Sequence, residues 1–197
     1  MSLEIFEEME SKVRSYCRSF PVVFDKAKGP FIYDKKGNEY IDFLAGAGTL
    51  NYGHNNDLFK RALIDYIQQD GITHGLDMSS KAKQEFLEVF RDNILGPRGL
   101  DYVLQFTGPT GANSVEAALK MARHVKGRKN VIAFTNGFHG VTTAALAATG
   151  NSRHRNIAGM CLDGITRFPY DGYMDGGIDT LAYMQEMLND SDLPPIN

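Results

Sequence analysis

Cysteine is nearly absent from this chain. Only Cys17 and Cys161 occur in 197 residues, which excludes a disulfide-stapled scaffold. With no Cys-x-x-Cys pair and no histidine spacing suited to zinc, no metal site is expected, and both thiols read as reduced with ordinary packing roles. An excess of positive charge is missing too. Lys and Arg number 21 against 24 Asp and Glu, a net charge of −3, so no large basic surface invites nucleic acid. Long apolar runs are lacking. Residues 1–11 carry four Glu and form neither a signal peptide nor a membrane span, so a cytoplasmic location is expected. No internal repeat or low-complexity tract occurs. What remains, 43% hydrophobic and 23% charged residues, is the make-up of a soluble globular protein with one ordinary core.

The two commonest phosphate signatures also fail. A P-loop needs Lys and then Ser or Thr after its last glycine, and Gly111 is followed by Ala112 and Asn113. A dinucleotide fingerprint could start at Gly46 and Gly48, but its third glycine position holds Asn51 and no helix pattern follows directly.

The patterning nevertheless defines elements. Leu3, Phe6, Met9, Val13 and Tyr16 fall on one side of a helix over residues 3–16, which Pro21 keeps from continuing. Residues 31–33 and 40–44 flank a polar turn containing Gly37 and predict a β-hairpin, followed by a Gly-rich loop over 45–53. Asn56 or Asp57 caps a helix burying Leu58, Ala62, Leu63, Tyr66 and Ile67. Ser79 or Ser80 caps another, with Phe86, Leu87, Phe90 and Ile94 inward and a stop at Gly96 and Pro97. From Leu100 strands and helices alternate: strand 102–106, helix 112–125, strand 131–135, helix 142–148, strand 165–168, then a helix capped by Asp179 with Leu181, Met184 and Leu188 inward. Such alternation predicts an α/β layer with a largely parallel sheet. Residues 190–197 read as a linker toward a further strand, so the chain is expected to be the front part of a longer protein.

Two loops carry the chemistry. The first, Thr107-Gly108-Pro109-Thr110-Gly111-Ala112-Asn113, leads directly into an amphipathic helix whose Val115, Ala118, Leu119, Ala122 and Val125 share one face. Unpaired amides at the positive end of such a helix suit a phosphate, and Gly111 lets one approach the backbone. On spacing alone, plain capping by Thr110 or Asn113 is the commoner explanation. Glu116 and Lys120, four apart, read as an outer-face pair worth a few tenths of a kcal/mol at most. The second loop, Asn136-Gly137-Phe138-His139-Gly140, falls where a parallel sheet presents its ligand-binding edge. Phe138 could stack on a planar cofactor with His139 beside it, or simply pack beneath a turn. His54, His74, His124 and His154 make no metal spacing and no visible triad. Arg153 and Arg155 could draw an acidic ligand, although a solvated loop is the commoner outcome.

These two loops, together with residues 28–43 and the following Gly53 and His54, resemble the class III pyridoxal-phosphate aminotransferases. Three motifs in family order are far more specific than any one, and the resemblance covers nearly the whole chain. Residues 14–24, 43–56 and 106–111 are similar to one subgroup, which moves the terminal amino group of a small diamino acid to 2-oxoglutarate. The resemblance implies an α/β fold of fold-type I (aspartate-aminotransferase-like), with residues 1–50 in a small domain and 51–197 in the first part of the large cofactor-binding domain. It implies pyridoxal 5'-phosphate as cofactor, its phosphate held by Thr110, Gly111 and Ala112. Phe138 would stack on its ring with His139 beside it, and Gly48, Thr49 and Phe20 would border the substrate pocket. The partners implied are a small amino donor, a 2-oxo acid acceptor and further copies of the chain.

The family's Schiff-base lysine and ring-pairing aspartate belong to its later half, and neither motif precedes Asn197. No catalytic residue is therefore expected in this chain, and alone it should be inactive. The rival readings are an aminotransferase for another ω-amino acid, such as ornithine or 4-aminobutyrate, a non-catalytic remnant serving at most as an interaction module, and a phosphate-binding module unrelated to pyridoxal.

Overall fold

A computed structural model describes residues 3–13 and 16–192. Residues 14 and 15 of the expected first helix, and 193–197 of the expected linker, lie outside the described residues. Two compact units follow each other along the chain, Met1–Phe90 and Arg91–Asn197.

In the first unit the opening helix is shorter than its periodicity suggests. It is α1 (Glu4–Met9), with no side-chain cap and no buried residue, so nothing beyond its own turns extends it. The expected hairpin forms between β2 (Phe31–Asp34) and β3 (Glu39–Ile41), and β1 (Phe24–Lys28) adds a third antiparallel strand against β2. The turn is built on Asp34. Its buried carboxylate accepts the N–H groups of Lys36 (2.8 Å) and Asn38 (2.9 Å), the Asn38 amide (2.9 Å) and the Tyr40 hydroxyl (3.1 Å). Those bonds, led by the Asn38 side chain, hold its pKa below the ordinary aspartate value.

Next comes α2 (Ala45–Gly48), a single left-handed turn with φ of 46°, 58°, 56° and 88° at Ala45, Gly46, Ala47 and Gly48. Ala45 and Ala47 each cost roughly 1–2 kcal/mol in that region. Bonds at both ends hold it: Asp42 accepts the N–H groups of Leu44 and Ala45 (both 3.0 Å), and the Thr49 hydroxyl donates to the Gly46 carbonyl (2.8 Å). Then α3 (Asp57–Gln68) starts at Asn56, whose side chain accepts the Leu58 N–H (3.1 Å), and Ser80 caps α4 (Lys81–Phe90) through the Lys83 N–H (3.2 Å). Among the described residues of this unit only Asp34 is buried.

The second unit opens on a π-helical turn, Arg91–Leu95, and a 3-10 turn, Gly96–Arg98, which Gly99 ends at φ 61°. Gly96 and Pro97 therefore do not stop the helical path, because proline is tolerated in the first turn of the new helix. Residues 102–106 form no strand. Their apolar run suits a ladder, but neither strand of the adjoining sheet pairs with it. Then α5 (Gly111–Lys126) closes on Gly127 in the left-handed region (φ 65°) and leads to β4 (Val131–Phe134). Two short helices, α6 (Thr143–Ala148) and α7 (Ser152–Asn156), precede β5 (Ile165–Phe168), which pairs in parallel with β4 in the register Val131 with Ile165 through Phe134 with Phe168. The last helix, α8 (Thr180–Asn189), is capped by Asp179 at the N–H groups of Leu181 (2.9 Å) and Ala182 (3.1 Å). The core of this unit is small: Ala133, Ala145, Leu146, Ala147, Ala148 and Phe168, with Thr149 and Thr180. The alanines of α6 let it lie close against both α5 and β4.

Candidate functional site

The start of α5 is a reciprocal capping box. Thr110 donates its N–H (3.2 Å) and hydroxyl (2.6 Å) to Asn113 Oδ1, while the Asn113 N–H approaches the Thr110 hydroxyl (3.4 Å) and carbonyl (3.1 Å). Capping is thus present, as the spacing suggested, but it leaves something over. The N–H groups of Gly111 and Ala112 have no acceptor among the described residues, and they lie at the positive end of a 16-residue helix. A Cβ placed on Gly111 would meet nothing within 4 Å, so open space lies beside the Gly111 backbone. The Thr110 hydroxyl is committed to Asn113 and would have to rotate to donate elsewhere.

The loop after β4 comes directly to this point. A Cβ on Gly140 would fall 2.6 Å from the Cβ of Ala112, so only glycine permits the approach. Phe138 is two residues away and 66% exposed, its ring meeting His154 edge-on at 6.0 Å. The His139 N–H donates to the hydroxyl of buried Thr149 (3.0 Å), and the Gly150 N–H donates to the Gly137 carbonyl (2.7 Å). The structure therefore brings Thr110, Gly111 and Ala112 together with the loop bearing Phe138 and His139.

Several expectations require correction. Glu116 does not pair with Lys120 on an outer face. It is half-buried and turns to α6, where Oε1 accepts the Thr142 hydroxyl (2.7 Å) and the N–H groups of Ala144 (2.8 Å) and Ala145 (3.1 Å). Burial pushes its carboxyl up, but those donors and the Arg123 charge outweigh it, and the net pKa lies below the ordinary glutamate value. Arg155 is not a solvated loop residue. It donates to the carbonyls of Thr149 and Gly150 (both 2.6 Å), and Arg167 reaches those of Ala147 and Thr149, so two cations close the negative end of α6. Both cysteines are exposed rather than packed, and Cys161 donates to the Asp163 carboxylate at 2.9 and 3.0 Å.

The other three predicted residues belong to the first unit. Phe20 lines a mainly apolar groove of about 690 Å³ with Phe24, Tyr40 and Phe43. Gly48 ends the left-handed turn and Thr49 follows it, and neither lines that groove or a second cavity of about 300 Å³ bounded by Asp42 and His54. Residue spacing does not signal the Asp42–His54 pair, in which His54 Nε2 lies 2.7 Å from Asp42 Oδ2. The Ala45 N–H, then His54, hold the Asp42 carboxyl below its ordinary pKa. The chain also pairs Gly29 with His54 through two backbone bonds of 2.8 Å, which closes the loop between them.

A 16-residue helix whose first two amides lack an acceptor among the described residues thus lies beside a glycine-flanked aromatic loop that follows a parallel strand, in an α/β unit. This chain belongs to the class III aminotransferases, whose family pattern matches residues 13–190. Among individual relatives, it is 59% identical over 189 residues to the diaminobutyrate–2-oxoglutarate transaminase of Vibrio parahaemolyticus and 57% identical over 190 residues to that of Bordetella parapertussis. Each comparison covers 96% of this chain and 44% of the relative, so the chain spans about half the length of the curated relatives it matches. Among solved structures it resembles a taurine:2-oxoglutarate aminotransferase from Bifidobacterium kashiwanohense in complex with PLP and glutamate. The TM-score is 0.75 at 24% identity, over 95% of this chain and 45% of that one. An ornithine aminotransferase from Toxoplasma gondii gives 0.73 at 26% identity, over 95% and 42%. The fold is that of the fold-type I PLP-dependent transaminases, of which this chain is a part. Among the described residues no helix is long and apolar enough to cross a membrane, and no cluster of His, Cys, Asp and Glu could hold a metal ion.

Proposed function

We propose that the complete protein is a pyridoxal-phosphate-dependent transaminase exchanging the 4-amino group of L-2,4-diaminobutyrate with 2-oxoglutarate. In the other direction glutamate aminates aspartate 4-semialdehyde, the step that feeds ectoine biosynthesis. The observation that carries this reading is the pair of unengaged amides at Gly111 and Ala112, with open space beside the Gly111 backbone and the Phe138 loop against them. The relatives at 57–59% identity supply the choice of substrate.

The residues fit the cofactor. The Gly111 and Ala112 amides, at the helix dipole's positive end, would hold its phosphate, and the missing side chain of Gly111 leaves the backbone open to it. Phe138 has an exposed face to lay on a flat ring, and His139 flanks it. When bound, pyridoxal phosphate supplies the electron sink for amino transfer. The chain's own residues bind and orient: amides grip one end, Phe138 shields one face from water, and Gly48, Thr49 and Phe20 border the substrate. The base that moves the proton, and the carboxylate that pairs with the ring nitrogen, belong to the rest of the protein. In the complete protein, residues 1–50 join the small domain and 51–197 the large one, and copies associate as a homodimer or larger in the cytoplasm.

The test is amine competition in the complete protein loaded with pyridoxal phosphate. Diaminobutyrate should displace ornithine and 4-aminobutyrate as donor. Preference for either of those two would move the protein to another ω-amino acid, and failure to bind pyridoxal phosphate would end the reading.

A further inference from the structure

The proposed seat has two parts, the start of α5 and the loop after β4, and a rigid flat molecule held by both tolerates little slack between them. Two side chains not assigned to hold the cofactor tie these parts together. Glu116 leaves α5 less than two turns beyond Thr110 and takes three donors at the start of α6 on a single oxygen, at 2.7, 2.8 and 3.1 Å. At the far end of α6, Thr149 is fully buried. Its hydroxyl oxygen accepts the His139 N–H at 3.0 Å and lies within donating reach of the carbonyls of Gly140 (2.9 Å) and Ala145 (3.0 Å). The next residue, Gly150, holds the Gly137 carbonyl at 2.7 Å, and a Cβ there would fall 2.9 Å from the Asn136 nitrogen. Phe138 is thus fastened on both sides, to a helix itself fastened to α5.

We propose that Glu116 and Thr149 are positioning residues that set the spacing between the phosphate amides of α5 and the aromatic cover Phe138. This rests on the reading that pyridoxal phosphate sits there. A hydroxyl fastening on the loop and a carboxylate fastening on the helix act in series, so loosening either one lets the cover drift. Drift of about 1 Å is enough to degrade a preorganised site.

The experiment uses the complete protein and reads the dissociation constant of pyridoxal phosphate and the visible circular dichroism of the bound cofactor at saturation. Thr149→Val keeps the shape and removes the hydroxyl, Thr149→Ser restores it, and Glu116→Ala removes the carboxylate. We expect Thr149→Val and Glu116→Ala to weaken binding about tenfold and to diminish the dichroism, with Thr149→Ser within about threefold of wild type. Wild-type affinity and dichroism in Thr149→Val and Glu116→Ala would overturn the proposal. If those two variants do not fold, hydrogen exchange in the wild-type holoprotein decides: the His139 amide should exchange only with global opening, and fast exchange there overturns the fastening. Gly111→Ala and Phe138→Ala serve as controls. If neither alters binding or dichroism, the seat itself is misassigned, an outcome distinct from unaltered Thr149 and Glu116 variants beside altered controls.

Discussion

Gly111 separates folding from binding most cleanly. Its surroundings leave room for a methyl group and its φ is unexceptional, so Gly111→Ala should hold its melting behaviour to within about 1 kcal/mol. The same methyl covers backbone that its absence leaves open to the phosphate, so the complete protein should lose about tenfold in pyridoxal phosphate affinity by equilibrium dialysis. Asp42 is the opposite case. Its carboxylate serves the amides of Leu44 and Ala45 and the His54 ring, and Asp42→Ala should cost about 1–3 kcal/mol in urea denaturation. Both Asp42 and Glu116 have lowered folded pKa values. Their contribution to stability is therefore complete above the ordinary carboxylate values and is lost as pH falls through the lowered folded ones. A urea midpoint followed downward in pH should fall, and Glu116→Gln should fall less steeply.

At the level of elements, capping decides where helices begin, and capping was legible. Asn56, Ser80, Thr110 and Asp179 each fill the position their side chains suggested. Asp179→Ala should cost about 1 kcal/mol, read as a lower melting temperature, because the amides of Leu181 and Ala182 lose their acceptor. Where the sequence misled, the missing information was tertiary. The residues of β1, Phe24-Asp25-Lys26-Ala27-Lys28, show no apolar alternation, so only the pairing with β2 makes them a strand. Residues 102–106 have the composition of a strand and find no ladder. Helical spacing sees only its own helix, which is why Glu116 read as a partner of Lys120 rather than a cap for α6. The two loops of the candidate site were each legible, but their meeting at Ala112 and Gly140 was not, since they lie 28 residues apart.

For the molecule as a whole, the apolar surface left open is the dominant fact. The chain exposes 15817 Å², whereas two separate compact units of half its mass would together expose about 11,200 Å². The excess, about 4,600 Å², is on the scale of a large obligate interface. Phe43 at 92%, Val103 at 97% and Leu76 at 86% exposure belong to that surface. Produced by itself, the 197-residue chain should bind a hydrophobic dye strongly, self-associate in size-exclusion chromatography and show no amino transfer. The complete protein should bind little of the dye and elute as one defined homo-oligomer. The parallel pairing of β4 with β5 sets a timetable during synthesis. Phe134 cannot find its register partner until Phe168 has been added, about 34 residues and, at ordinary ribosome speeds, about 2–7 s later. Through that interval the nascent strand has no parallel partner, and slow codons between the two would lengthen it.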